Sequence, residues 1–451
     1  MVTENPRTLN IPPNDPQWRS AAVTRLLLNP EVTIEPGRLL DWAKRCAERI
    51  RVLRDRMRNQ WVGLNNEGLG YLTDWIIACA IARENCLLLG IPGVAKSEIA
   101  TQFFKWLQLN PPDVNQTKLQ MLDSPAFNWK SWESRKALEE EEQKYFHYLL
   151  SRFTQVEELF GPIELELLKK GIVTRVNFGL LTGPGVYAAF LDEVFKASSS
   201  VLNTLLTLTQ ERAYFSWGGM VPSDLVMFIA ASNEMPGGFA TGASGQGNGN
   251  EDFQTLHAFL DRFPVRIEIP NASGTSNPGE SGVSDLAKAF DLALKREEQR
   301  FTGLPAQSSD AGVYPPCVND ILLLGRACLQ GLNQKEPLLF DLKSYQSFKI
   351  CFMNIACSLQ AASGTNQPFA QRDRITWTIT PRKLKSIFKI ALALAVVRDD
   401  SFVPGDKRLV QGPKGESLRV FDMIWDSPYS RSQLHNYTKV EYQNFKRYRN
   451  E

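Results

Sequence analysis

Apolar residues fall at Leu39, Leu40, Trp42, Ala43, Cys46, Ile50, Leu53 and Met57, and this spacing predicts an amphipathic helix over about 36–59. The opposite face of that helix is strongly basic and reads as a solvated surface. Residues 68–82 (GLGYLTDWIIACAIA) are apolar almost all round, which predicts a second, more buried helix. Asn85-Cys-Leu-Leu-Leu-Gly90 is a short apolar strand running straight into a Gly/Pro turn. The stretch 109–143 is polar, contains Trp and ends in Glu139–Glu142. It reads as an insertion after the first helix of an α/β unit, its acidic cluster facing water. Strands and helices then alternate to Ile269, the pattern of a parallel sheet wrapped by helices. Two Gly-rich loops follow from composition, 236–250 and 270–282, and the second marks a domain boundary. Beyond it the periodicity is helical over 284–303, 317–332, 340–362 and 381–397. Residues 1–16, rich in Pro and Asn, are expected to be poorly ordered, and residues 401–451 carry no clear pattern.

Composition narrows the class. The chain has 451 residues, 43% of them hydrophobic, enough for at least one large core. A formal net charge of +2 gives no global attraction to nucleic acid. No apolar run is long enough to span a membrane, and the N-terminus lacks a secretory pattern, so a cytoplasmic protein is expected. Seven scattered cysteines without a C-x-x-C pair read as reduced, mostly buried thiols. The three histidines lie too far apart in sequence to suggest a zinc site.

The chemistry lies in two short segments. Gly90-Ile-Pro92-Gly93-Val94-Ala95-Lys96-Ser97 joins a strand to the helical run SEIATQFFKWL, the context a phosphate-binding loop requires. Backbone N–H groups of the turn would enclose a β-phosphate, Lys96 would neutralise β/γ oxygens, and Ser97 would ligate Mg²⁺. Ala95 stands where a third glycine is usual, which is tolerable if its φ is negative. Farther on, Val186-Tyr-Ala-Ala-Phe-Leu-Asp192-Glu193 is an apolar strand ending in paired carboxylates. Asp192 suits the Mg²⁺ shell, and Glu193 can polarise an attacking water. Together they point to Mg-dependent ATP hydrolysis.

These segments, with FTQVEELFGPIELELLKKGIVTRVNFGLLTG, FLDEVFKASSSVLNTLLTLTQER, VMFIAASNEMP and FLDRFPVRIEI, resemble the MoxR AAA+ ATPases, and among them the RavA-like branch, which also carries Ala-Lys-Ser in its loop. The resemblance is dense over 66–270, thinner to about 400, and absent from 1–35, 109–143 and the tail. It implies that Asn233 is the sensor 1 residue positioning the lytic water. It also implies that Arg262 is an arginine finger acting in the neighbouring subunit, with Arg212 and Arg266 as rivals. Arg212 reads rather as pinning a helix end. Arg382 matches the sensor 2 arginine, which touches the γ-phosphate. Residues 153–181 resemble an insert that lines the central pore.

The resulting expectation is an α/β fold, a P-loop AAA+ core with a five-stranded parallel sheet (66–272) followed by an all-α lid (273–400). An N-terminal extension (1–65) precedes it and a tail (401–451) follows. ATP and Mg²⁺ are the expected substrate and cofactor. The resemblance implies a homo-oligomeric ring, hexameric in the family, that remodels a protein client beside a von Willebrand A domain partner. Two other classes remain open: an ATP-gated scaffold or sensor of a stress or defence system, and a nucleic-acid-stimulated motor using the basic helix and tail.

Overall fold

Five apolar strands, each short and bounded by helices, form one parallel sheet in the computed structural model. The structure describes residues 8–61, 65–66, 70–111, 143–171, 173–177, 180–216, 219–233, 255, 258–269, 314–332, 336–362, 380–400, 402, 409–410, 415–424 and 434. The expected loops 236–250 and 270–282, the helix 284–303, and most of 109–143 and of the tail lie outside these residues. The strands are β1 (Cys86–Leu89), β2 (Lys144–Leu149), β3 (Val186–Asp192), β6 (Met227–Ser232) and β7 (Val265–Glu268); a small antiparallel hairpin, β4 (Ala213–Ser216) and β5 (Gly219–Pro222), lies apart. Their order is β2-β3-β6-β1-β7. Cys86 to Leu89 pair with Ile229 to Ser232 on one side and with Val265 to Glu268 on the other. β1, β6 and the first six residues of β3 are wholly buried, because helices cover both faces of such a sheet.

The helices are α1 (Ala21–Leu28), α2 (Pro36–Gln60), α3 (Leu72–Ala82), α4 (Lys96–Trp106), α5 (Val156–Phe160), α6 (Leu165–Leu168), α7 (Ser199–Glu211), α8 (Val318–Leu329), α9 (Leu342–Ala362) and α10 (Pro381–Arg398). α3 is buried at every position, as its all-apolar sequence requires. It is covered by α8 and α10. Gly325 makes the α8 contact close: a Cβ there would stand 2.3 Å from the carbonyl oxygen of Ile81. α10 begins with Thr380 capping the N–H of Lys383 and Pro381 in the first turn. It runs antiparallel to α3, with Lys389 paired to Glu84 and Arg398 to Asp74.

Two sequence expectations change here. Residues 8–16 are packed: Leu9 is buried and the carbonyl of Pro13 accepts from Arg49 at 2.6 Å. The basic side of α2 is in large part not solvated, because that helix is sandwiched between other elements. Arg49 pairs with the fully buried Asp320 at 3.1 Å, where Trp18 Nε1 also donates at 2.9 Å. Arg54 donates to the Val397 carbonyl at 2.8 Å and pairs with Asp400 at 2.7 Å. Arg58 makes a two-pronged contact with Asp74 at 2.9 and 2.7 Å.

Asp74 is fully buried and takes Arg398 Nε at 2.9 Å as well, so one carboxylate joins α2, α3 and α10. Removing it would strand two guanidiniums with little access to water. Asp74→Ala is therefore expected to cost about 3–5 kcal/mol in denaturant unfolding. A loss below about 1 kcal/mol, the scale of an exposed ion pair, would show that this junction does not hold the helices.

Candidate active site

The strand order sets where a ligand can sit. The chain leaves β1 for β2 on one side and later crosses from β6 over β1 to β7 on the other, and the crevice at the carboxyl ends of β1, β3 and β6 lies at that switch. Three separate sequence segments meet there. Gly93 takes φ 86 with open space around its Cα, and Gly90 is packed so that a Cβ would lie 3.0 Å from Ile269 O. No side chain caps α4, which leaves its first N–H groups for an anion. Lys96 Nζ donates to the carbonyls of Gly90 at 2.7 Å and Ile91 at 3.0 Å, and also to Asn233 Oδ1. Pro92 and Val94 complete the turn between β1 and α4.

Ser97 Oγ donates to Asp192 Oδ2 at 2.6 Å, and Asp192 Oδ1 accepts the Glu193 N–H at 2.9 Å. Asn233 Nδ2 donates to Glu193 Oε1, so Lys96, Asn233 and Glu193 form one hydrogen-bonded chain. A hydroxyl beside a carboxylate is a hard-oxygen pair that suits Mg²⁺, which keeps few protein ligands and completes its shell with water and phosphate. Among the described residues no cluster of His, Cys, Asp and Glu offers a richer metal cage.

Ala95 departs from expectation. Its φ is 62, in the left-handed region, and not negative. The turn needs that conformation to aim the following N–H groups inward, and the methyl is accommodated at a strain of roughly 1–2 kcal/mol. Glu193 is also left-handed, φ 54. Strain thus falls on both loops that face the crevice. The sequence reading missed Lys196, whose Nζ lies 3.4 Å from Glu193 Oε2. Its spacing, three residues beyond Glu193, was the available signal.

Arg262 and Arg382 are not in this crevice. Val265 stands opposite Cys86, so Arg262 precedes the amino end of β7 while Gly90 follows the carboxyl end of β1. At about 3.3 Å per residue, roughly 10 Å of strand plus the flanking residues separates them. Asn85 pins Arg262 there by donating to its carbonyl at 2.8 Å and to the Thr209 carbonyl at 3.1 Å. Asp261 lies nearer Lys383, at 3.2 Å, than Arg262, at 3.9 Å. Burial and then the adjacent Arg382 guanidinium pull Arg262 below the ordinary arginine range. Arg382 itself is exposed and donates to Gln210 Oε1 at 3.1 Å. The antiparallel run of α10 along α3 carries it to this end, so it cannot touch a γ-phosphate on its own loop. Of the rivals, Arg266 is buried and donates to the carbonyls of Leu260 and Ile424. Arg212 ends α7 as its left-handed cap, in keeping with a helix-pinning role.

The geometry defines a parallel α/β fold with a strand–turn–helix anion site and a carboxylate pair beside it. Comparison narrows this. Residues 113–277 match the bpMoxR family, the MoxR domain in MoxR-vWA-beta-propeller ternary systems. That match begins inside the stretch read as an insertion, so most of 109–143 belongs to the shared sequence despite its polar composition. Two uncharacterized proteins of Methanocaldococcus jannaschii, MJ0812 and MJ0079, are each 32% identical over 220 and 205 residues, or 49% and 45% of this chain. The chain spans less than half the length of those relatives, 43% and 40%. A crystal structure described as a candidate ATPase of Cytophaga hutchinsonii is 15% identical, with a TM-score of 0.47 over 90% of this chain and 95% of that one.

Two expected outcomes test the crevice. Ala95→Gly relieves the backbone but adds freedom to the unfolded chain, for a net gain of about 0.5–1 kcal/mol in denaturant unfolding. A net loss would mean that packing of the methyl outweighs the strain. Burial lowers the pKa of Lys96, against the opposing pull of Asp192 and Glu193. A bound phosphate adds negative charge and raises it again. ADP affinity should then be full below the free-state pKa and fall as pH rises through it toward the bound-state value. Titrations from about pH 7 to about pH 10 should show that decline, and a flat profile would remove Lys96 as the phosphate's counter-charge.

Proposed function

We propose that this chain is a Mg-dependent AAA+ ATPase of the MoxR group that works as a ring, each ATP lying between two subunits. One observation carries the reading: parallel strands put Gly90–Ser97 at one end of the sheet and Arg262 with Arg382 at the other. A chain built so cannot complete its own site, whereas a head-to-tail neighbour can. This also revises the role of Arg382, which like Arg262 would serve the adjoining subunit's ATP.

Within the site, Lys96 and the first N–H groups of α4 hold the β- and γ-phosphates. Ser97 and Asp192 would hold Mg²⁺, which supplies charge neutralisation across the phosphate oxygens. Glu193, fixed by Asn233, orients the attacking water and accepts its proton. Arg262 and Arg382 meet the charge that develops on the γ-phosphoryl group.

The client is a protein on this reading. Phe153, Leu165, Phe215 and Met220 are large apolar side chains left exposed, at 89%, 68%, 59% and 52%. They belong to the 153–177 segment and to the β4–β5 hairpin, joined by a 3.1 Å contact between Thr174 and Ser216. Such surface suits transient contact with an unfolded or remodelled protein. The bpMoxR description makes a von Willebrand A protein and a β-propeller protein the first partners to try. Internal pairing of Arg49, Arg54 and Arg58 weakens the nucleic-acid reading. The finer placement beside RavA rests on Ala95-Lys96-Ser97, and a hexamer on the family resemblance.

The test is complementation. Lys96→Ala is expected to lose ATP binding. Glu193→Gln should bind ATP and lose turnover, and Arg262→Ala should bind ATP and hydrolyse about 10³-fold more slowly. Mixing Lys96→Ala with Arg262→Ala lets the first donate its arginine to the second, and activity should return in part. No recovery in rings shown to be mixed would place Arg262 outside the neighbour's site.

A further inference from the structure

Beside Arg262 and Arg382 a cavity of about 930 Å³ opens at the amino end of the sheet. Among the described residues lining it, eight are Lys or Arg and three are Asp or Glu. Part of this positive charge is already engaged. Lys389 pairs with Glu84, Lys383 with Asp261 at 3.2 Å, and Arg326 donates to the carbonyls of Val32 and Asn29.

Arg83 and Arg212 are different. Nε of Arg83 and Nη1 of Arg212 are out of contact with water and have no hydrogen-bond partner. Among the described residues Arg212 Nη2 donates to the Arg83 carbonyl, at 3.4 Å. Burial, and next the Arg83 charge, push the Arg212 guanidinium down to about 10. Both residues end helices in the left-handed region, φ 53 and φ 51, where Gly or Asn would sit without strain. Each guanidinium is half-buried, Glu84 offsets their charge only in part, and both side chains line the one cavity, so two like charges stand together there. The arrangement is relieved if an anion enters.

The facing wall is apolar. Leu27, Leu28, Pro30, Val32 and Ile34 come from the end of α1 and the segment leading to α2, outside the stretch that resembles the ATPase core. A ligand matching both walls carries clustered negative charge on one side and a flat apolar group on the other. Guanidinium pairs favour phosphate, which they can grip with two parallel bonds. The volume lies within the range of small-molecule sites, roughly 300–1,000 Å³.

We propose that this cavity is a second ligand site, taking a free nucleoside polyphosphate. Its phosphates meet Arg83 and Arg212, and its base packs on Leu28, Pro30 and Ile34. It is separate from the Gly90–Ser97 turn, and it adjoins the two arginines offered to a neighbour. The same phosphate chemistry could arrive in a neighbouring chain's bound ATP, so the experiment separates the two sources.

The full-length Lys96→Ala chain, kept at a concentration where sedimentation shows monomers, is titrated with ADP and with pyrophosphate by calorimetry. One ADP per chain is expected, displaced by pyrophosphate and weakened about tenfold or more by Arg212→Met and by Arg83→Met. Arg212→Met keeps most of the side chain's length and removes one of two adjacent like charges, so its thermal midpoint should stay close to that of the parent and lost binding will not reflect unfolding. Ile34→Asp, at a partly exposed lining position, should weaken ADP more than pyrophosphate. No binding by monomers up to millimolar ADP overturns the proposal. So does binding confined to assembled chains, which would assign the phosphates to a neighbour's ATP, and so does unchanged affinity in both arginine variants. With Lys96 already removed, none of these outcomes depends on whether the Gly90–Ser97 turn is an ATPase site.

Discussion

Every strand of the main sheet points the same way, and from that polarity the rest of the molecule follows. In a parallel sheet each strand must be returned by a crossover, so both faces are covered and the central strands become almost wholly apolar. The carboxyl ends gather into one crevice, where the main chain is free to turn and bind. The amino ends gather on the far side, where helices finish and their side chains fan outward. A phosphate-binding turn can form only at the first edge. Whatever the chain keeps at the second edge is lost to its own site and is available to another molecule.

The helical layer follows from the same need for cover. α3, apolar on all sides, cannot face water, and α8 and α10 come back from more than 230 residues away to enclose it. Their return brings charges together in the interior, Arg398 of α10 onto Asp74, which Arg58 of α2 already holds, and Asp320 of α8 onto Arg49 of α2. These contacts hold register more than they add stability, since packed apolar residues would hold as well or better. What they provide is a single way of laying the N-terminal helices on α3, α8 and α10.

The strand–helix alternation and the residues of the crevice were legible in the sequence because local spacing encodes them. Lys96, Ser97, Asp192 and Glu193 each sit at a fixed offset from an apolar strand, and the helices at 36–60, 72–82 and 381–398 follow their apolar stripes closely. What could not be read was anything set by two distant segments at once. The basic face of α2 looks solvated until Asp74 and Asp320 are placed beside it. Arg382 looks like a partner of its own phosphate loop until α10 is seen to lie antiparallel to α3. The sign of φ at Ala95 depends on where the turn must aim its N–H groups, which residue type alone does not reveal. Arg83 and Arg212, 129 positions apart, meet only because two helices end at the same edge.

Asn85 occupies an unusual mechanical position. It stands immediately before β1, is almost wholly buried, and holds the carbonyls of both Thr209 and Arg262. β1 has only four residues and is paired along both sides, so it behaves as a short stiff strut with the phosphate turn at one tip and the Asn85 clamp at the other. On the proposed function, a displacement of the turn on loading or losing phosphate would have little slack along that length to absorb it. It would arrive at the Arg262 loop, and in a ring this would make one subunit's chemistry the timing signal for the next.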